Sequence, residues 1–168
     1  MDLLTDVKRI ADEHNPKGYF ELEAIKNLGK DKSCLASAPG KVVKVIAQLL
    51  PALDKGYHYW IIFMLRDIHE VLQSQQTMLN KSESDKLAQT FQQQLHRVQV
   101  WLHKQNNIDV IYVKYQNVIQ QSLSEVEKLN DFLEGLLDVQ KCIEVVDVNL
   151  YRASPSFLVM LQKLLYCT

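Results

Sequence analysis

The sequence has few cysteines and almost no net charge, and both features exclude broad classes of protein. Its three cysteines, Cys34, Cys142 and Cys167, show neither the paired spacing of a disulfide framework nor that of a zinc site. Unpaired thiols of this kind favour a reducing, cytoplasmic setting. Lysine and arginine number 19 against 20 aspartate and glutamate, so no broad positive field exists to attract nucleic acid. We therefore expect no nucleic-acid partner, and any anion site must be local.

Long hydrophobic runs are also lacking. The most apolar run, Tyr59 to Leu65, is far shorter than the ~20 residues that a membrane-spanning helix needs. Four charged residues interrupt the apolar positions between Met1 and Ala11, so we expect neither a signal peptide nor a membrane span. The five histidines show no metal-ligand spacing, and the sequence predicts no metal site.

What is present is the composition of one folded domain. Hydrophobic residues make up 47% of the chain, and a chain of this length can bury roughly two thirds of its unfolded surface around one core. No internal repeat, linker or low-complexity block divides it. We therefore interpret residues 1–168 as a single domain.

Strand and helix patterns alternate through the first two thirds of the chain. Short apolar, β-branched runs at 42–46, 59–65 and 108–113 predict three buried strands. Between them, Asp67 to Leu79 and Ser84 to Asn106 carry apolar residues at helical spacing. The alternation predicts an α/β fold in which a short parallel sheet of about three strands is flanked by helices.

The two ends of the chain are predicted to be helical. Apolar residues fall at helical spacing from Met1 to Ala11, and Glu21 to Leu28 predicts a short second helix. After the third strand the sequence predicts helices alone: Leu123 to Leu133, Val139 to Val146, and a last apolar helix from about Pro155 to Tyr166.

The junction after the second predicted strand concentrates the chemistry. Arg66 directly follows the apolar run, Asp67 can cap the next helix, and Ser74 lies about two helical turns further on. Open α/β sheets bind ligands outside the carboxyl ends of their strands, and a guanidinium suits phosphate. One interpretation is therefore a phosphate site formed by Arg66 and Ser74. The alternative is a surface arginine paired with Asp67 or Glu70, and an ordinary helical serine.

This junction resembles that of sulfotransferases that use 3′-phosphoadenosine 5′-phosphosulfate. In that family an arginine follows an apolar strand, a serine lies eight residues on, and both bind the 3′-phosphate of the cofactor; Arg66 and Ser74 match this pattern. Two further segments are similar to bacterial members of the family, NPKGYFE at 15–21 and VDVNLYR at 146–152. The resemblance implies a P-loop-NTPase-like three-layer fold with a helical C-terminal third.

The resemblance also assigns roles to residues outside the junction. The segment GKVVKVIAQLLP is similar to a strand that carries a lysine in the cytosolic branch, and Lys44 matches that lysine. The segment IDVIYVKYQNV resembles a strand whose final tyrosine lies near the adenine, a place that Tyr115 takes here. Arg152 is implied as an addition to the phosphate site, with a plain surface role as its alternative.

The reaction implied is transfer of a sulfuryl group from 3′-phosphoadenosine 5′-phosphosulfate to a hydroxyl or amine acceptor that the sequence does not identify. The histidine base of the cytosolic branch falls on Ile46, which has no proton to exchange. Some branches use an upstream glutamate, and Glu21 is the candidate base, with Lys44 stabilising charge on the bridging oxygen. Alternatively, Glu21 is a glutamate at a helix N-terminus and Lys44 is a solvated strand-edge residue.

The sequence departs from the family at its start, where a first strand and a Gly-rich loop normally hold the 5′-phosphosulfate. The Gly-Lys pair of Gly40 and Lys41 is followed by Val42 where serine or threonine is needed. The beginning of the chain is similar to the segment located after that loop in bacterial relatives. We therefore interpret the sequence as truncated at its N-terminus, and expect the chain as written to transfer sulfate poorly or not at all.

Loss of that first strand has a structural consequence, because the family places it centrally in the sheet. We expect neighbouring strands to expose apolar edges that could support self-association. The missing loop also leaves two alternative functions open. One is a noncatalytic remnant that acts as a protein-interaction module, and the other is a binder of a 3′-phosphonucleotide, such as adenosine 3′,5′-bisphosphate, through its 3′-phosphate half-site alone.

Overall fold

A mixed five-stranded sheet forms the centre of the protein. The computed structural model describes residues 2–6, 11, 18–68, 85–147 and 163–167, with the backbone alone for 85–87 and 163–167. The strands are β1 (Asp2–Leu3), β2 (Lys41–Val45), β3 (Tyr59–Leu65), β4 (Ile108–Lys114) and β5 (Lys163–Cys167). They lie side by side in the order β1, β2, β5, β3, β4.

Strand direction sets which ends of the strands meet. β1 is parallel to β2, and β3 is parallel to β4. β5 is antiparallel to both of its neighbours, β2 and β3. As a result, β1 to β4 all end at one edge of the sheet, called the carboxyl edge below, and β5 begins at this edge.

Helical segments connect and cover the strands. The α-helices are α1 (Asp85–Leu102), α2 (Tyr115–Gln120), α3 (Ser122–Phe132) and α4 (Val139–Glu144). Short 3₁₀ helices form at Glu23–Asn27, Ser33–Ser37 and Ala47–Ala52. No helix among the described residues is long and apolar enough to cross a bilayer.

The core occupies both faces of the sheet. On one face Ile61 and Phe63 of β3 are fully buried in a cluster that includes Leu102 of α1. On the other face Ile62 packs against Leu133, just after α3. Successive strand residues point to opposite faces of a sheet, so a strand covered on both faces must be apolar throughout. This explains the unbroken apolar run of β3.

The α/β class and all three predicted strands are confirmed. β3 has the predicted bounds, β4 runs one residue further to Lys114, and β2 ends at Val45 instead of Ile46. The helices α1, α3 and α4 lie where helical spacing predicts them. The helix predicted from Glu21 to Leu28 is a shorter 3₁₀ helix, and most of the one predicted after Asp67 lies outside the described residues.

The predictions for the two chain ends are wrong where the structure describes them. Asp2–Leu3 forms a strand instead of a helix, and the Leu4 amide donates to the Val42 carbonyl at 2.8 Å. Lys163–Cys167 is a strand where the predicted helix continued to Tyr166, so the C-terminal third is not wholly helical. A short apolar run fits a buried helix or a buried strand equally by periodicity. Here, as a strand, Lys163–Cys167 forms hydrogen bonds with the backbone groups of β2 and β3, which a helix could not do because its own backbone groups bond within it.

The sheet therefore has five strands instead of about three, and the edges next to the expected missing strand are paired with β5. Within the described structure, β2 lies between β1 and β5, and β3 lies between β5 and β4. The central place expected for a missing strand is occupied by β5, running in the opposite direction. Self-association through a sheet edge stays a prediction, and among the described strands β1 and β4 are the outer ones.

A buried carboxylate joins α2 to α3. The Glu125 side chain is 6% exposed and accepts hydrogen bonds from Lys128 Nζ at 2.7 Å and from Asn117 Nδ2 at 3.3 Å. The hydrogen bond from Lys128, and after it the one from Asn117, hold the pKa of Glu125 below its usual range although burial opposes them. The charged form is therefore favoured in the folded protein.

This carboxylate predicts a loss of stability in acid. A lowered pKa in the folded state stabilises the protein above the usual glutamate pKa of about 4.3, and this contribution disappears as the pH falls through the lowered value. We expect Glu125→Gln to cost about 1 kcal/mol at neutral pH and to flatten the acid limb. Urea unfolding measured from pH 7 to pH 3 tests this, with the exposed neighbour Glu127→Gln as control. Parallel acid limbs for both variants and the unaltered protein would contradict it.

Candidate functional site

The carboxyl edge of the sheet gathers three of the residues singled out by sequence. Lys44 is the second-last residue of β2, Arg66 directly follows β3, and Tyr115 directly follows β4. This clustering results from the parallel strand directions, because parallel strands deliver their carboxyl ends to the same edge.

Arg66 and Tyr115 leave the sheet side by side. The last residues of their strands, Leu65 and Lys114, are partners in the β3–β4 register. The Arg66 guanidinium carbon lies 5.0 Å from the centre of the Tyr115 ring, a cation–π distance. Tyr115 is the first residue of α2. The contact therefore connects the end of β3 with the start of α2.

An open cleft of about 320 Å³ lies beside this pair. It is lined by Leu65, Arg66, Asp67, Lys114 and Gln116. Two cations, one carboxylate and an amide give the cleft a net positive charge and several hydrogen-bond donors. In a chain with a formal net charge of −1, such a local surplus is what an anion site requires. Sequence reasoning missed Lys114 and Gln116, although both are immediate neighbours of Tyr115 in the chain.

Two predicted phosphate-binding residues, Ser74 and Arg152, lie outside the described residues. The shared grip of Arg66 and Ser74 on one phosphate therefore stays a prediction. Two interpretations of Arg66 were left open, a phosphate site and a pairing with Asp67. The structure shows that the side chains of Arg66 and Asp67 line the same cleft.

Lys44 and Glu21, the two predicted catalytic residues, form a buried ion pair. The Lys44 ammonium lies 3.6 Å from Glu21 Oε1, with side chains that are 6% and 11% exposed. It also donates a hydrogen bond to the Tyr19 carbonyl at 2.6 Å. The interpretation of Lys44 as a solvated edge residue is wrong, because its side chain is 6% exposed and is covered by the loop that carries Tyr19 and Glu21.

The loop that carries Glu21 is held in place by the start of the chain. The Glu21 carbonyl accepts hydrogen bonds from the Thr5 hydroxyl at 2.7 Å and from the Asp6 amide at 2.9 Å. The Asp6 carboxylate in turn accepts from the Glu23 amide at 2.8 Å. Phe20, with φ of 51° and half of its surface exposed, makes the turn between Tyr19 and Glu21. These contacts bring together segments that no sequence pattern connects.

The ion pair and the cleft share an edge but are separate. Through β5, Lys44 is in register with Ile62, four residues before Arg66. With ~4.8 Å between strands and ~3.3 Å per residue along them, the Cα atoms of Lys44 and Arg66 are roughly 16 Å apart. A single ligand would have to extend along the carboxyl edge to reach both.

Neither a metal centre nor a relative defines the chemistry of this edge. Within the described ranges, no group of three or more His, Cys, Asp or Glu side chains is arranged to hold a metal ion. Comparison of the chain with protein-family models, with curated proteins and with solved structures found no match.

Proposed function

We propose that this protein is a sulfotransferase-type domain that binds adenosine 3′,5′-bisphosphate, and its 5′-sulfated form, along the carboxyl edge of the sheet. The observation that carries the proposal is the cation–π pair of Arg66 and Tyr115 beside a net positive cleft. A phosphorylated adenosine combines an aromatic base with an anionic group. An aromatic ring next to a guanidinium and a lysine offers contacts to both kinds of group.

The proposal includes a P-loop-NTPase-like three-layer arrangement. It is supported by helical segments on both faces of the sheet and by α1, which connects the parallel strands β3 and β4. A crossover of this kind places ligands at the carboxyl edge. The antiparallel β5 is a departure from an all-parallel sheet.

The buried pair of Glu21 and Lys44 is proposed as the reacting end of the site. The bound nucleotide would supply the activated sulfuryl group. Glu21 Oε1 would accept the proton of the attacking hydroxyl or amine, and Lys44 Nζ would place positive charge beside the oxygen on which negative charge develops. Their separation of 3.6 Å supports this pairing of roles. Residues 74 and 152 belong to the same proposal as further contacts to the 3′-phosphate.

The distance between the Arg66 cleft and the ion pair of Glu21 and Lys44 favours a second, narrower function, nucleotide binding without sulfuryl transfer. Because the cleft at Arg66 is about 16 Å from Lys44 by sheet geometry, nucleotide binding does not require the ion pair to be catalytic. A protein that binds a 3′-phosphonucleotide without transferring sulfate would use the cleft alone. Sulfation of an acceptor by the purified protein distinguishes the two functions.

The nucleotide site predicts a specific loss of affinity. We expect Arg66→Ala to weaken binding of adenosine 3′,5′-bisphosphate by about tenfold or more, because a charge-assisted phosphate contact contributes about 1.5 to 3 kcal/mol. Isothermal titration calorimetry measures the change. Arg97→Ala, in an exposed position of α1, is the matched control and should bind as the unaltered protein does.

Binding of a second ligand distinguishes the contribution of the 3′-phosphate from that of the rest of the nucleotide. Adenosine 5′-monophosphate lacks the group assigned to Arg66, so its affinity should change little in Arg66→Ala. No binding of the bisphosphate by the unaltered protein, or equal binding by both arginine variants, would refute the proposed site.

A further inference from the structure

A carboxylate lines the cleft that is proposed to bind a phosphate. Asp67 directly follows Arg66 and is exposed, and it lines the cleft of about 320 Å³ together with Arg66 and Lys114. An ionised phosphate repels a carboxylate and has no hydrogen-bond donor to offer it. A ligand that accommodates Asp67 must therefore present a donor group beside its phosphate.

We propose that Asp67 accepts a hydrogen bond from the 2′-hydroxyl of the ribose whose 3′-phosphate is bound at Arg66. The cleft thereby selects ribonucleotides over 2′-deoxyribonucleotides. This inference rests on the proposed function and defines the class of nucleotide that the same site takes. It assigns a binding role to a residue that sequence analysis considered only as a helix cap or as an ion-pair partner of Arg66.

The spacing of the two residues suits the spacing of the two ligand groups. Arg66 and Asp67 are consecutive residues after the end of β3, so their Cα atoms are about 3.8 Å apart. In a ribonucleoside 3′-phosphate, the 2′-hydroxyl is on the carbon next to the one that bears the phosphate. Neighbouring side chains of the cleft can therefore contact neighbouring groups of one ribose.

The two cations of the cleft determine where the phosphate lies. Lys114, the last residue of β4, is the register partner of Leu65, the last residue of β3. With ~4.8 Å between strands and ~3.3 Å per residue along them, the Cα atoms of Lys114 and Arg66 are roughly 6 Å apart. Both long side chains can therefore contact the same phosphate. The Asp67 carboxylate is then left for the uncharged hydroxyl beside it.

Asp67 has enough acceptor capacity for this contact. An ionised carboxylate has about four lone-pair sites, so capping of the helix that the sequence predicts after Asp67 leaves sites for a ligand. A hydrogen bond from a hydroxyl to a carboxylate is charge-assisted and about twice as strong as one between neutral groups. The contact should therefore be measurable as a difference in affinity between a ribonucleotide and its deoxy analogue.

The experiment compares adenosine 3′,5′-bisphosphate with its 2′-deoxy analogue by isothermal titration calorimetry. We expect the unaltered protein to bind the ribonucleotide about tenfold more tightly, the effect of one charge-assisted hydrogen bond. Asp67→Ala should lose this preference. Asp67→Asn keeps the ability to cap a helix and a neutral acceptor, so about threefold, half of the free energy, should remain. Asp109→Ala, which removes a side chain that is 57% exposed at the opposite edge, is the matched control and should keep the full preference.

Each other outcome has a definite meaning. An undiminished preference in Asp67→Ala or Asp67→Asn would overturn the assignment, because a helix cap or an ion-pair partner of Arg66 changes the affinity for both nucleotides alike. Loss of the preference in Asp109→Ala as well would also overturn it. An unaltered protein that binds the two nucleotides equally would overturn this assignment and leave the Arg66 site intact. An unaltered protein that binds neither would overturn the proposed function itself.

Discussion

Replacing Lys44 with methionine is expected to destabilise the protein by about 3 to 5 kcal/mol, the cost of removing one partner of a buried ion pair. Methionine approximates the length of the lysine stem, so the change removes charge with little loss of volume. The Glu21 carboxylate, 11% exposed, then faces the site of the lost ammonium, while the Lys26 ammonium stays 3.9 Å from its other oxygen, so the lower part of this range is expected. The Tyr19 carbonyl also loses its 2.6 Å hydrogen bond from Lys44.

Urea unfolding at neutral pH measures this effect, and two further variants identify its cause. Lys41→Met, in the same strand but half-buried, should change the free energy of unfolding by less than about 1 kcal/mol. The double variant Glu21→Gln with Lys44→Met should recover part of the loss, since it also removes the carboxylate that Lys44 neutralised. A loss below about 1 kcal/mol for Lys44→Met would show that the pair is solvated like an ordinary surface ion pair.

The same variant separates stability from nucleotide binding. The cleft at Arg66 is formed by residues at the ends of β3 and β4, and Lys44 is on β2. A folded Lys44→Met protein should therefore keep its affinity for adenosine 3′-monophosphate. Any sulfuryl transfer that the unaltered protein shows should be lost in this variant if Lys44 has the proposed role at the reacting end.

The second large effect is expected in the core, where Phe63→Ala should cost about 3 to 5 kcal/mol. Phe63 is fully buried in the middle of β3, and its ring centre lies 5.2 Å from that of Tyr112 on the neighbouring strand. Truncation leaves a cavity in the core cluster between the sheet and α1, beside β3, which is paired on both sides and cannot move freely to fill it. Thermal or urea unfolding gives the magnitude.

Phe20→Ala is the matched control for this substitution. Phe20 is 52% exposed, and its removal should change the free energy of unfolding by no more than about 0.5 kcal/mol. Comparable losses for the two phenylalanines would mean that Phe63 is not part of a close-packed core.

Local patterns predicted the strands that are buried on both faces. The run from Tyr59 to Leu65 is apolar without interruption and comes after a turn that contains Gly56, so its type and its bounds were readable. The position of Arg66 at the end of that strand was then evident. In contrast, the apolar residues after Lys163 have no flanking signal that separates strand from helix, and their assignment required knowledge of the strands they pair with.

The candidate site divides in the same way. Arg66 was predicted from its place after a strand and Tyr115 from the family resemblance, and the parallel β3–β4 pairing brings them to 5.0 Å. The ion pair of Glu21 and Lys44 joins residues on separate segments, and its burial depends on the loop held by Thr5. Sequence reasoning named both residues, yet it could not show that they meet or that Lys44 is inside the protein.

The sequence by itself determined the α/β class, the three apolar strands and the cation at the end of β3, because hydrophobic periodicity and strand-end position are local properties of the chain. The tertiary structure alone decided that β5 lies between β2 and β3, that Lys44 is buried against Glu21, and that Lys163 begins its strand at the carboxyl edge. These features depend on pairing between residues far apart in the chain. Such pairing forms because strands distant in the chain have backbone groups that need hydrogen-bond partners and apolar surface that needs covering. No local sequence pattern indicates which distant segments will meet.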